Sequence, residues 1–193
     1  MYKLLYNPFE KYTAEKLVSF GVLSAVIGAF LAYCFNAIFD GVLDLHFTES
    51  ADIYQIFTLL IVDIAILANI LIVFGKYINP KTRMIDLYAT VLIAKIPAYV
   101  FTIINVNDVS YNLGQKVLKF VATNNFQSIS SFEIGLIIIQ TIASLLLIFW
   151  TISLLYHGFK TATNAKETKD KILFAAAIIL AEIISKIIIY QIY

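Results

Sequence analysis

Four charged side chains stand inside otherwise apolar runs of this chain: Asp63, Lys95, Glu182 and Lys186. An ionised group near a bilayer centre costs about 2.5 to 3.5 kcal/mol on insertion scales, so each needs a partner or a task. Asp63 lies about 16 residues before, and Lys95 about 16 after, a turn centred between Asn79 and Pro80, which at about 1.5 Å per residue brings them to similar depth. An ion pair across that hairpin is expected. Glu182 and Lys186 are spaced i, i+4 with the acid first, the favourable order on one helix face, and are expected to form a second pair at similar depth. A proton- or cation-carrying role for Asp63 or Glu182 is the alternative.

A second cluster is FDGVLDLHF, Phe39 to Phe47, in which Asp40, Asp44 and His46 follow an uncharged run. Asp and His ligate metals, and Glu49 could join them. The same residues also suit an acidic loop: Asp40-Gly41 as a turn, Asp52 as a helix cap. Strong metal spacings such as HExxH or paired CxxC are absent, as are GxSxG elbows, phosphate loops and nucleotide fingerprints. The two histidines, His46 and His157, fall on opposite sides of the topology derived below. The residues therefore point away from an enzyme, and no cofactor is expected.

The elements that position these groups follow from composition. The chain of 193 residues is 61% hydrophobic and 14% charged, against roughly 45 to 50% and about 25% in soluble domains. That composition is a membrane protein's. Its net charge of +1 and the lack of a basic, aromatic stripe exclude nucleic acid as a partner. A span needs about 20 mainly apolar residues, and five segments qualify: Leu17–Phe39, Ile53–Phe74, Leu87–Ile104, Ile134–Tyr156 and Ile172–Tyr193. Leu31-Ala32-Tyr33-Cys34 has the outline of a lipoprotein cleavage box, but Tyr33 occupies a position that needs a small residue. The first run is thus read as an uncleaved helix.

Charge orients the bundle. Lys3, Lys11 and Lys16 precede the first span; Lys76, Lys81 and Arg83 lie between the second and third; Lys160, Lys166, Lys169 and Lys171 lie between the fourth and fifth. The other side has only Lys116 and Lys119. By the positive-inside rule the N-terminus is inside and the C-terminus outside. Between spans three and four, Val109, Leu113, Val117, Leu118 and Val121 recur at helical spacing within Val106–Glu133, which reads as an amphipathic helix in the outer interface or a cap on the bundle. In span one, Ser24, Gly28 and Ala32 repeat every four residues, Gly21, Ala25 and Ala29 run alongside, and Asn36 extends the first row. Such rows let helices approach closely, within the bundle or in self-association. Pro97 removes a helical hydrogen bond inside span three and predicts a kink there. Trp150, Tyr156 and His157 approach the inner interface as an aromatic belt.

Asn7-Pro8-Phe9 before span one, IDLYATVLIAKIPAYVF with its proline, and FWTISLLYHGFKTATNAKETKDK at the end of span four resemble the Yip1 domain, particularly its bacterial members. Pro97 resembles the family's span-three proline, and Trp150 and Gly158 its pattern linking the last two spans. The resemblance implies one all-α integral membrane domain over residues 1–193, a five-helix bundle in the cell membrane. It further implies a non-enzymatic membrane-organising or trafficking role, with the lipid bilayer and protein partners or self-association as contacts. Eukaryotic members are associated with Rab-type GTPases and carry an extended N-terminal region; in this chain span one begins at Leu17, so GTPase binding is not carried over.

Overall fold

The computed structural model describes residues 5–123 and 129–192; Lys3, Tyr193 and the stretch 124–128 lie outside the described residues. Five helical segments are long and apolar enough to cross a membrane, and the chain is 81% helical. This is the all-α, multi-pass architecture expected from the composition.

Helix α1 spans Ala14–Cys34. It stops five residues short of the expected end at Phe39, because Asn36 takes a left-handed conformation with φ 48°. Asn tolerates that conformation better than most side chains do. A two-residue strand, β1 (Ala37–Ile38), then pairs antiparallel with β2 (His46–Phe47), Ile38 opposite His46. The residues between them form a loop whose tip turns inward, and on it the candidate site is built. Helix α2 spans Ile53–Ile78, capped by Asp52, whose Oδ1 accepts from the amides of Tyr54 (2.9 Å) and Gln55 (3.0 Å).

The expected third span is broken. Helix α3 runs Met84–Ala94 and α4 runs Ile96–Phe101, with Lys95 at the junction and Pro97 in the first turn of α4. Proline fits that turn because the amide it lacks has no intrahelical acceptor there. A kinked stretch, Thr102–Asp108, in which Asn105, Val106 and Asn107 leave helical geometry, leads into α5, Val109–Thr123. Helix α6, Ser131–Thr163, opens with a reciprocal capping box between Ser130 and Glu133 and ends at left-handed Asn164. Helix α7 spans Thr168–Ile192; the buried Asp170 carboxylate accepts the amides of Lys166 and Glu167 just before it.

Helix α3 is the centre of the bundle, with Leu87 and every residue from Ala89 to Ala94 buried. It packs against α1, α2 and α6, while α7 lies along α2. The approach to α1 is set by glycines. A Cβ at Gly21 would stand 2.6 Å from the Leu92 Cβ, and one at Gly28 would enter the Tyr99 ring. Gly21, Gly28, Ala29 and Ala32 are buried, and Ser24 and Ala25 half-buried. The small-residue face of α1 thus serves packing inside the bundle. Asn36 is a correction to that row: it lies beyond the helix, where it ties loops together by donating to Asp108 Oδ1 (3.0 Å) and accepting from the Ala51 amide (3.3 Å).

Candidate functional site

The tip of the loop between β1 and β2 is sunk into the bundle. Phe39, Gly41 and Val42 are buried, Phe39 completely. Irregular backbone at this depth exposes amides and carbonyls that lipid cannot satisfy, so it persists only where protein supplies the partners. Charged and hydroxyl side chains of the spans supply them. Lys95 Nζ lies 3.2 Å from Asp63 Oδ2 and donates to the Gly41 carbonyl at 3.3 Å. The Phe39 ring centroid is 5.9 Å from the same ammonium, within cation–π reach. The Val42 amide donates to Ser185 Oγ (3.2 Å) and the Leu43 amide to Glu182 Oε2 (2.9 Å). Asp44 accepts from Lys186 at 2.5 Å. A Cβ at Gly41 would stand 2.7 Å from Glu182 Oε1, so a larger residue there would displace the Glu182 carboxylate.

The hairpin spacing of Asp63 and Lys95 therefore yields a buried pair, 0% and 3% exposed. Glu182 and Lys186 differ from expectation. They face each other at 3.7 Å, but the shorter contact of Lys186 is with Asp44, and its side chain is 46% exposed. Counting residues along α7 placed this couple at the level of Asp63 without allowing for a loop that descends to meet it. The result is one network through the loop in place of two separate pairs.

Metal ligation by Asp40, Asp44 and His46 does not match the geometry. Among the described residues no three His, Cys, Asp or Glu side chains converge. Asp40 Oδ2 is instead 3.0 Å from His46 Nδ1, while Asp44 turns to Lys186; Glu49 is exposed. Burial alone would raise the Asp40 carboxyl, but the hydrogen bond and charge of His46, with Lys186 behind it, hold it below its ordinary value. The bond to Asp40 in turn raises His46, against burial, and Asp44 adds to the rise. The pair is an ionic latch across the loop's entry and exit.

Two cavities approach the network. One of about 240 Å³ lies between the loop and α6, lined by Leu43, Asp44, Lys95, Ser144 and Thr151. The next, about 540 Å³, shares Ser144 and Phe101 with it and adds His46, Gln140 and Thr141. Four buried side-chain polar atoms have no hydrogen-bond partner among the described residues: Asn7 Oδ1, Asp40 Oδ1, Asp63 Oδ1 and the Tyr99 hydroxyl. The only cysteine, Cys34, is free and exposed at the end of α1, and His157 sits beside Gly158, which closely meets Thr90.

Residue spacing did not point to the roles of Ser185 and Gly41 or to the sinking of the loop. One signal was available: Phe39, Val42, Leu43, Leu45 and Phe47 are too apolar for a loop held in water. No family model, curated protein or solved structure matches this chain.

Proposed function

We propose that this chain is a non-enzymatic membrane protein of the Yip1-like, membrane-organising kind, a scaffold that acts through contacts in the bilayer and through small cytoplasmic loops. In this reading it sits in a bacterial cytoplasmic membrane with its N-terminus inside and C-terminus outside, and α5 lies in the outer interface. The observation that carries it is the engagement of the in-span charges. Asp63, Lys95, Glu182 and Lys186 are bonded to one another or to the inserted loop, so each of the four has a partner and together they hold a shape. Helix α5 supports its part of the reading by burying Leu113 while Leu118 and Val121 remain 63% and 66% exposed, as an interfacial helix presents apolar groups to lipid.

A small proton- or cation-coupled transporter is the second reading. The cavity reaching Lys95 and the unpartnered oxygens of Asp40 and Asp63 favour it. Flux of protons and monovalent cations through the purified protein in liposomes separates the two. The scaffold reading expects flux equal to protein-free liposomes, with Asp63→Asn and Glu182→Gln lowering thermal stability. Protein-dependent flux abolished by either substitution overturns it.

A further inference from the structure

At the end of the bundle that carries the N-terminus, the segment before α1 folds back across the helices. Pro8 is buried, and the indole Nε1 of Trp150 on α6 donates to the Leu5 carbonyl at 2.7 Å. Under this strap lies a cavity of about 510 Å³, walled by Leu17, Phe20, Ile96, Trp150 and Leu154, with Lys16 at its mouth. That volume lies within the roughly 300 to 1,000 Å³ of ordinary ligand cavities.

We propose that this cavity is a binding site for one anionic phospholipid, an acyl chain lying against α1, α4 and α6 and the phosphate meeting Lys16. Three observations select that occupant. The apolar walls belong to helices long enough to cross a membrane, so the medium that reaches them is lipid. Lys16 is exposed and has no ion-pair partner among the described residues, whereas Arg83 at the same end is bound to Asp86 at 2.7 Å. Its neighbour Glu15 lines a separate cavity with Arg83 and Asp86 and does not neutralise the mouth. Lysines at a span's end extend their ammonium to the headgroup level while the stem stays in the apolar layer. Tyr12, which also lines the cavity, engages the neighbouring Lys11 ammonium 5.6 Å from its ring centroid, and Lys16 is the one lysine among the lining residues.

Trp150 is the sole tryptophan of the chain and lines the cavity, which makes the test direct. The full chain is reconstituted in vesicles containing a minor fraction of phosphatidylglycerol with brominated acyl chains in phosphatidylcholine. In the matched vesicles the phosphatidylcholine carries the bromine instead. Quenching of Trp150 fluorescence reads which lipid occupies the site. Brominated phosphatidylglycerol is expected to be enriched about fivefold over the matched phosphatidylcholine, the attraction of one lysine near an anionic lipid. Lys16→Gln brings the two to parity, and Arg83→Gln leaves the selectivity intact. Equal quenching in the native chain means contact with bulk lipid and overturns the site. So does quenching by neither lipid, which would mean the cavity is covered by protein, a second copy included. Loss of selectivity in both variants also overturns it, because general surface potential would then suffice. The proposal goes beyond the scaffold reading without depending on it: an ion-flux result leaves the quenching selectivity unchanged.

Discussion

The two ends of the bundle solve the same problem in different ways. At the N-terminal end, regular helices meet through small residues: Gly75 against Leu87, Thr82 and Thr163, and Gly158 against Thr90. Their backbone polar groups are already paired within the helices, so only close apolar contact is required. At the loop end, the chain leaves helical geometry inside the bundle, and three backbone groups at the tip are met by side chains: the Gly41 carbonyl by Lys95, the Val42 amide by Ser185 and the Leu43 amide by Glu182. Buried charge in this protein accompanies irregular backbone. Where the helices stay regular, the core is built on apolar residues such as Leu71, Leu87, Leu155 and Phe159, and the buried hydroxyls of Thr90 and Thr163 return to carbonyls of their own helices.

From that contrast, the largest single-site loss is expected from Lys95→Met. It strands the Asp63 carboxylate and the Gly41 carbonyl together, and breaking one partner of a buried pair costs about 3 to 5 kcal/mol. Chemical denaturation in detergent reads it. The double variant Asp63→Leu with Lys95→Met removes the uncompensated charge and is expected to recover most of the loss, leaving about 1 to 3 kcal/mol for the bare carbonyl. A Lys95→Met variant as stable as the native protein would break the comparison at its centre.

The other end should fail by crowding. Gly158→Ala drives a Cβ into the Thr90 side chain, and overpacking of this kind costs about 1 to 3 kcal/mol. Thr90→Ala removes the hydroxyl and methyl that the new group meets, so the double variant should be more stable than the two single losses sum to. Simple additivity would show that the helices part without strain. A smaller effect, about 1 kcal/mol, is expected from Ser185→Ala, which takes one 3.2 Å hydrogen bond from the Val42 amide. It should loosen the loop tip with little change in the N-terminal end, which hydrogen exchange resolves segment by segment.

The contrast also explains what could be read from residues alone. Regular helices announce themselves: the five apolar runs correspond to five helical segments long enough to span, the third of them broken at Lys95, the hairpin count brings Asp63 to Lys95, and Asp52 caps α2 as its type and place suggest. The small residues of α1 pack within the bundle for the same reason, since their four-residue repeat belongs to the helix. Past Cys34 that periodicity ends, and residue spacing no longer carries distance. Spacing therefore puts Asn36 on a helix face, whereas it ties loops together, and it pairs Glu182 with Lys186, which meet at 3.7 Å while the loop takes their shorter contacts. The break at Lys95 was half legible: Pro97 marked a kink, but the residue that occupies the junction is the lysine whose ammonium holds the loop.

The smallest effect concerns the latch at the loop's neck. His46 is raised in the folded state above its ordinary value of 6.5, so its contribution is complete below that pH and disappears as pH rises through the raised value. Asp40 is lowered from 3.8, so its contribution is present above that pH and is lost only as pH falls through the lowered value. Between those limits imidazolium and carboxylate face each other, with Asp44 reinforcing the imidazolium and Lys186 opposing it. His46 is 48% exposed, so solvent screens the pair and the gain is small. Amide exchange in residues 40–52 is therefore expected to quicken from pH 6 to pH 8, after correction for the intrinsic chemical rate, while α3 amides hold steady. In His46→Gln the corrected rates should be flat across that range. A pH response that survives the substitution would place the titrating group elsewhere in the network, and one that spreads to α3 would mean that the latch and the buried Lys95 act as a single unit.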